Sequence, residues 1–279
     1  MNGFLLVDKE KGFSSNDVVQ KIKKKFSFQK VGHLGTLDPD AEGLLIIAIN
    51  RATKFSQYFL NSDKSYYVEI KLGKFTTTDD ASGETIKEFD VRCSADDVKK
   101  EINNFLGESF QTPPFFSALK HKGKPLYKYA REGKLINKEP RRIKIKDIKK
   151  IVYKNTICSF EILCSKGTYI RSLARDLGKN LGCGGHMLKL KRLSQHQFNV
   201  IDAHRIEDIT LEKVIKIDNF FKDYEKLSLS EENLKIFLNG GRVILDKDIT
   251  KDFRIYSENK DFIGLGRLEN KHLKHKQLV

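Results

Sequence analysis

From residue 44 to residue 49 the chain reads Leu44-Leu45-Ile46-Ile47-Ala48-Ile49 with no polar position, a pattern that predicts a strand covered on both faces. Other runs alternate instead. Tyr66-Tyr67-Val68-Glu69-Ile70-Lys71-Leu72 and His186-Met187-Leu188-Lys189-Leu190-Lys191-Arg192-Leu193 predict strands with one buried face, and Phe4-Leu5-Leu6-Val7 a short strand near the start. Val18, Ile22 and Phe26 recur every four residues, predicting a helix capped by Ser14 or Ser15 whose outer face carries Lys21, Lys23, Lys24 and Lys25. Further helices are predicted over 52–60, from Ser94 to about residue 106, after Pro125, over 169–181 and over 231–238. Residues 139–165 hold two strand runs divided at Lys154-Asn155, and 76–80 reads as a loop. Gln111-Thr112-Pro113-Pro114 cannot continue a helix, so 107–124 is expected to be irregular. The pattern changes near residue 220, beyond which come a helix, the turn Asn239-Gly240-Gly241 and strands near 254–256 and 262–266. Two domains are expected, 1–222 and 223–279.

At 279 residues and 39% hydrophobic content the chain can bury a full core. Fifty-two Lys and Arg against 37 Asp and Glu leave a formal charge of +15, which points to a polyanion, nucleic acid first. No apolar run approaches a membrane span and no signal-peptide layout opens the chain, so a cytosolic location is expected. Cys93, Cys158, Cys164 and Cys183 lack paired metal-ligand spacing and are expected to be reduced thiols; His272 and His275 sit in a basic tail expected to be solvated surface. No metal is expected.

The strongest candidate for chemistry is Gly32-His33-Leu34-Gly35-Thr36-Leu37-Asp38-Pro39-Asp40. Gly32 and Gly35 allow positive φ or close approach, Pro39 biases Asp38 toward an extended backbone, and the apolar strand that follows anchors the loop. Together these aim one carboxylate, as a nucleophile or base requires. This loop, with Ala41, Gly43-Leu44-Leu45 and Ala52-Thr53-Lys54, resembles the signature of the TruB family of tRNA pseudouridine synthases. Motif matches extend from residue 3 to about residue 195.

The resemblance implies an α+β pseudouridine synthase fold, with a mixed, largely antiparallel central sheet and flanking helices, plus a small β-rich C-terminal PUA-like RNA-binding domain. It implies isomerisation of uridine 55 in the T-loop of tRNA, and Asp38 as the catalytic residue, attacking either sugar or base. Arg171, in Gly167-Thr168-Tyr169-Ile170-Arg171, is the expected partner of that anion, since guanidinium holds a carboxylate in two places and stays charged. Tyr66, in Asp63-Lys64-Ser65-Tyr66, aligns with the family's active-site tyrosine, which stacks on the target base and is favoured to take the C5 proton. Tyr67 should face the other side of the sheet. Tyr169 and Leu190 match substrate-pocket positions, His33 the residue that fills the stack vacated by a flipped nucleotide, and Lys9 a further substrate motif. Two positions depart from the family: Glu10 stands where Pro is usual, and Phe116 where Tyr is usual.

Because the reaction is an isomerisation, no cofactor is expected. The expected partner is the tRNA T-arm, with the protein a monomer lacking an obligate protein partner. Two other readings share these features: a tRNA chaperone of the same fold with catalysis secondary, and a guide-dependent synthase, disfavoured by the lack of long basic extensions.

Overall fold

A computed structural model describes every residue of the chain except Asp248. The chain enters its large sheet through β1 (Gly3–Lys9) and continues into α1 (Ser15–Phe26). Ser14 is the N-cap, and its side chain and that of Asp17 each bond the other's backbone N–H, satisfying two donors that the helix cannot. After β2 (Val31–His33), β3 (Glu42–Ile49) lies antiparallel to β1. Its unbroken apolar run has a packing reason. Leu45, Ile47 and Ile49 enter one hydrophobic core, and Leu44, Ile46 and Ala48 enter another on the opposite face.

The helix expected over 52–60 is divided: a 3-10 segment, Asn50–Phe55, leads into α2 (Ser56–Leu60). Ala52 and Phe55, three apart, both reach the second core, which the three-residue turn allows. Then come β4 (Lys64–Leu72), the hairpin β5 (Lys74–Thr76) and β6 (Thr85–Glu88), and α3 (Ala95–Asn103), capped by Ser94. The stretch expected to be irregular holds an edge strand, β7 (Gly107–Gln111), and a small hairpin, β8 (Lys120–His121) with β9 (Lys124–Pro125). In β7 only Gln111 is buried, so no hydrophobic alternation marks it. Helix α4 (Leu126–Arg131) precedes β10 (Arg141–Lys154) and β11 (Ile157–Cys164), joined through Asn155 and Thr156, both at positive φ, as a tight hairpin requires. Helix α5 (Ile170–Asn180) and β12 (Gly185–Gln195) follow, then β13 (Phe198–Asn199), β14 (Ile215–Lys216) and the short α6 (Ile217–Phe220).

The large sheet has the order β14-β1-β3-β12-β4-β11-β10-β7, with β2 and β13 paired at its margins. All its pairings are antiparallel except β3 with β12, where Gly43 lies opposite Arg192. Gly43 has φ +96°, and a Cβ there would stand 2.3 Å from the Arg192 carbonyl oxygen. Only glycine lets these strands meet, and the meeting brings β12 against the loop between β2 and β3.

The second sheet, β15-β17-β18-β19-β16, is built from β15 (Glu225–Ser228), β16 (Val243–Ile244), β17 (Lys251–Tyr256), β18 (Phe262–Glu269) and β19 (His272–Leu278), with α7 (Glu231–Leu238) beside it. The basic tail expected to be solvated is thus a strand: Leu273 is buried while the lysines face outward, a lysine-rich pattern that conceals the alternation. Leu265 of β18 packs among Phe4, Phe59 and Phe220, so the two sheets share a core. Among the described residues, no helix is long and apolar enough to cross a membrane.

Candidate active site

Asp38 lies in the loop between β2 and β3, and side chains from three other parts of the chain fix that loop. The Ser15 hydroxyl donates to the Leu37 carbonyl at 2.9 Å and accepts from the Leu37 N–H at 2.8 Å. Sequence alone left Ser14 and Ser15 as alternative caps; Ser14 caps, and Ser15 is free to hold the loop. Lys9, 1% exposed, donates from Nζ to the carbonyls of Phe13 at 2.7 Å, Glu10 at 2.9 Å and Pro39 at 3.1 Å. From β12, Arg192 donates to the carbonyls of Thr36 at 2.7 Å, Gly35 at 3.1 Å and Leu44 at 3.2 Å. Gln195 adds a bond to the Leu34 carbonyl at 2.7 Å. Buried carbonyls left unbonded are costly, so these donors select one loop conformation.

Of the two glycines expected to matter, Gly35 does. A Cβ at Gly35 would stand 3.0 Å from the Gln195 side chain, whereas Gly32 has room for one and keeps an ordinary φ.

The carboxylate of Asp38 meets Arg171, at the start of α5. Nε lies 3.0 Å from Oδ2 and Nη2 3.3 Å from Oδ1. Arg171 also donates to the Phe116 carbonyl at 2.8 Å and the Thr78 carbonyl at 3.3 Å, and its Nη1 is 3.6 Å from Asp80 Oδ2. One turn further, Arg175 pairs with Asp79 at 2.9 Å and donates to the Thr112 carbonyl at 3.1 Å. Helix α5 therefore gathers the 76–80 and 112–117 segments over the Asp38 loop. Burial pushes the Asp38 carboxyl above its ordinary value, with Asp80 adding to the effect, while Arg171, Lys9 and Arg192 pull it down.

Above Asp38 opens a cavity of about 340 Å³. Of the residues expected at a site, Asp38, Tyr66, Tyr169, Arg171 and Leu190 all line it. Tyr66 comes from β4, and its ring lies 5.6 Å from the Arg192 guanidinium. Burial raises the phenol's proton affinity and Arg192 opposes the rise, so the resting hydroxyl is protonated. Tyr67, facing the other way, bonds Glu69 at 2.8 Å. Tyr169 is the N-cap of α5, and its backbone is clamped by Gln111, which accepts from its N–H at 2.8 Å and donates to its carbonyl at 3.0 Å.

Two expected residues stand apart. Lys9 does not line the cavity, and its ammonium is bonded to carbonyls beneath the loop, where it holds the loop in place. His33 is on β2, half-buried, outside the cavity lining, with a buried Nδ1 that has no hydrogen-bond partner among the described residues. Burial, reinforced by Arg192, lowers its pKa and favours the neutral ring.

Sequence reasoning missed Lys64, Asp80, Ser117 and Arg192. The period of two could have found two of them: Lys64 precedes Tyr66 by two positions, and Arg192 follows Leu190 by two, so each pair shares a sheet face. Asp80 and Ser117 lie in loops, where no period operates.

Comparisons with known proteins agree in direction. Residues 23–170 match the family described as "TruB family pseudouridylate synthase (N terminal domain)". Residues 171–229 match "tRNA pseudouridylate synthase B C-terminal domain", and 226–279 match "Pseudouridine synthase II TruB, C-terminal". The chain is 41% identical over 288 aligned positions to tRNA pseudouridine synthase B of Clostridium novyi, covering all of both chains. It is 39% identical to the enzyme of that name from Pasteurella multocida, covering 96% of this chain and 92% of the relative. Among solved structures, an H/ACA RNP bound to a substrate RNA containing 2'-deoxyuridine superposes with a TM-score of 0.71 at 20% identity, over 99% of this chain and 84% of that one, a likeness of fold.

Proposed function

The chain belongs to the TruB family of pseudouridylate synthases, and from that premise we propose a role for each group around the cavity. The protein is a tRNA pseudouridine synthase, an isomerase. Its target is uridine 55 of the T-loop, presented by the T-arm to a monomeric enzyme in the cytosol. The observation that carries the assignment of roles is the two-point pair between Asp38 and Arg171 at a cavity walled by Tyr66, Tyr169 and Leu190.

Pseudouridine forms when the bond from C1′ to N1 of the base breaks, the uracil turns, and C1′ bonds to C5, which then loses its proton. Asp38 is the nucleophile or charge stabiliser for the first step, acting as the ionised carboxylate that Arg171 favours against burial. Arg171 also fixes the direction of attack, because both carboxylate oxygens are engaged on one side. Tyr66 and Leu190 sandwich the uracil and keep water from it while it is detached. Tyr66 is also placed to receive the C5 proton, which requires its own phenolic proton to leave first to solvent; N1, freed from C1′, takes up one proton in return, so none is gained or lost overall. His33, neutral and short of a partner, fills the gap left in the T-loop stack.

The second sheet offers a basic cleft of about 400 Å³ lined by residues including Arg242, Arg267, Lys274 and Lys276, suited to phosphates elsewhere on the tRNA. The deciding experiment is to incubate the protein with unmodified tRNA transcript in EDTA and map pseudouridine by carbodiimide treatment and primer extension. A single stop at position 55 is expected, with an isolated T-arm hairpin converted and a linear oligomer of the same sequence not. Modification elsewhere, or equal conversion of the linear form, would refute the assignment.

A further inference from the structure

Lys64 and Tyr66 stand two positions apart on β4, so their side chains leave the same face and both line the cavity. The ammonium of Lys64 donates to the Ser62 carbonyl at 2.8 Å. Among the described residues it forms no ion pair: the adjacent acid, Asp63, is taken by Lys146. An ammonium has three donors, so two remain for something else. Burial pushes Lys64 down to about 8, with Arg192 adding to the effect, so the fold keeps this cation at the cavity at some cost.

Charge is unevenly distributed around the cavity. Arg171 is balanced by Asp38 and Asp80. Arg192 is bonded to carbonyls rather than to carboxylates, and Lys64 likewise. The Tyr66 side of the cavity therefore carries two positive charges that, among the described residues, no carboxylate meets in a salt bridge.

We propose that Lys64 binds a backbone phosphate adjoining the extruded uridine and so seats that nucleotide over Asp38. The inference rests on the reading of the cavity as the site of a flipped uridine. Such a nucleotide carries a phosphodiester on each side of its ribose, and neither can follow the base between the apolar walls of Tyr66 and Leu190. Uracil is neutral when it enters; the phosphates are the anions that arrive with it. A compact, rotatable ammonium that is still partly exposed suits a single phosphate oxygen.

The test is a two-way cycle between a protein change and an RNA change. A T-arm hairpin carries a neutral methylphosphonate in place of the phosphate 5′ or 3′ to the target uridine, and binding is measured for wild type and Lys64→Gln over a series of salt concentrations. Lys64→Gln is expected to weaken binding of the unmodified hairpin roughly tenfold. The slope of log affinity against log salt should fall by about 0.7 to 0.9, as for one phosphate contact. One of the two methylphosphonates should cost wild type a similar factor and cost Lys64→Gln nothing more, and Lys64→Arg should restore most of the affinity. Should circular dichroism show that Lys64→Gln misfolds, Lys64→Met, which keeps most of the stem, replaces it. If both methylphosphonates cost the variant as much as wild type, or if the variant loses single-turnover rate at unchanged affinity, Lys64 does not hold a phosphate. Conversion of the unmodified hairpin by wild type is scored separately: its failure would overturn the proposed function, while the binding cycle would still report on Lys64.

Discussion

Arg171 reaches Asp38 from 133 residues further along the chain and grips it edge-on, Nε to Oδ2 at 3.0 Å and Nη2 to Oδ1 at 3.3 Å. The same guanidinium is otherwise engaged by the Phe116 and Thr78 carbonyls and by Asp80. Removing it would leave two carboxylates facing each other without a cation between them.

Arg171→Met should therefore raise the Asp38 pKa beyond its already elevated position, because burial and Asp80 would act unopposed by the largest favourable charge. If the carboxylate is the working form, activity is lost as pH falls through that pKa, so the acid limb of the single-turnover profile should move to higher pH. Asp38→Asn should abolish turnover at every pH while tRNA affinity stays within a fewfold. An acid limb that does not move in Arg171→Met would separate the limb from Asp38.

Lys9→Met should lower the single-turnover rate without changing tRNA affinity, since Lys9 holds the Asp38 loop from beneath and does not line the cavity. Three carbonyls would be left without their donor, a stability loss of about 2–3 kcal/mol, measurable by urea unfolding. Weaker tRNA binding at unchanged stability would instead mean that Lys9 touches RNA.

Tyr66→Phe keeps the ring and should bind tRNA normally while forming no pseudouridine. In wild type the phenol is protonated at rest, so a rate set by its ionised form should climb with pH across the neutral and mildly alkaline range, about tenfold per unit. A flat profile there, or normal product from Tyr66→Phe, would exclude the phenolate as the base.

Asp79 illustrates linkage with the opposite sign from an ordinary salt bridge. Burial raises its pKa to about 6 from 3.8 despite Arg175, so between those values the folded protein holds a proton that the unfolded chain has released. Its stabilising contribution is complete below the lower value and is lost as pH rises through about 6. Urea unfolding should show Asp79→Asn lacking up to about 3 kcal/mol of that decline. Parallel stability curves for the two proteins would contradict the assignment.

Replacing Arg242 and Lys274 together by Ala should weaken tRNA binding and flatten its salt dependence by about 0.7 to 0.9 for each phosphate no longer neutralised, leaving the rate at saturating tRNA unchanged. Both line the basic cleft of the second sheet, and neither forms an ion pair among the described residues. An unaltered salt slope would remove the cleft from the RNA path.

What could be read in advance follows from where periodicity operates. The Asp38 loop, the flanking apolar strand and the helix start at Arg171 were legible because a motif or a repeat marked each one. Edge strand β7 and the lysine-rich β19 were not, since solvent on one or both faces frees their residues from any pattern. The hold of Arg192 on Gly35 and Thr36 was equally invisible: it depends on the parallel pairing of β3 with β12, a fact of topology.

Leu265, in the second sheet, is fully buried in the same hydrophobic core as Phe4, Phe59 and Phe220 of the first part of the chain. Cutting the chain near residue 225 would thus open a hole lined with phenylalanine rings in the catalytic half. Heat or denaturant should find one cooperative unit rather than two, with amide hydrogens of β1 and β18 exchanging at matched rates. A lesion in the last forty residues would then reduce the amount of folded enzyme before it altered any interaction with RNA.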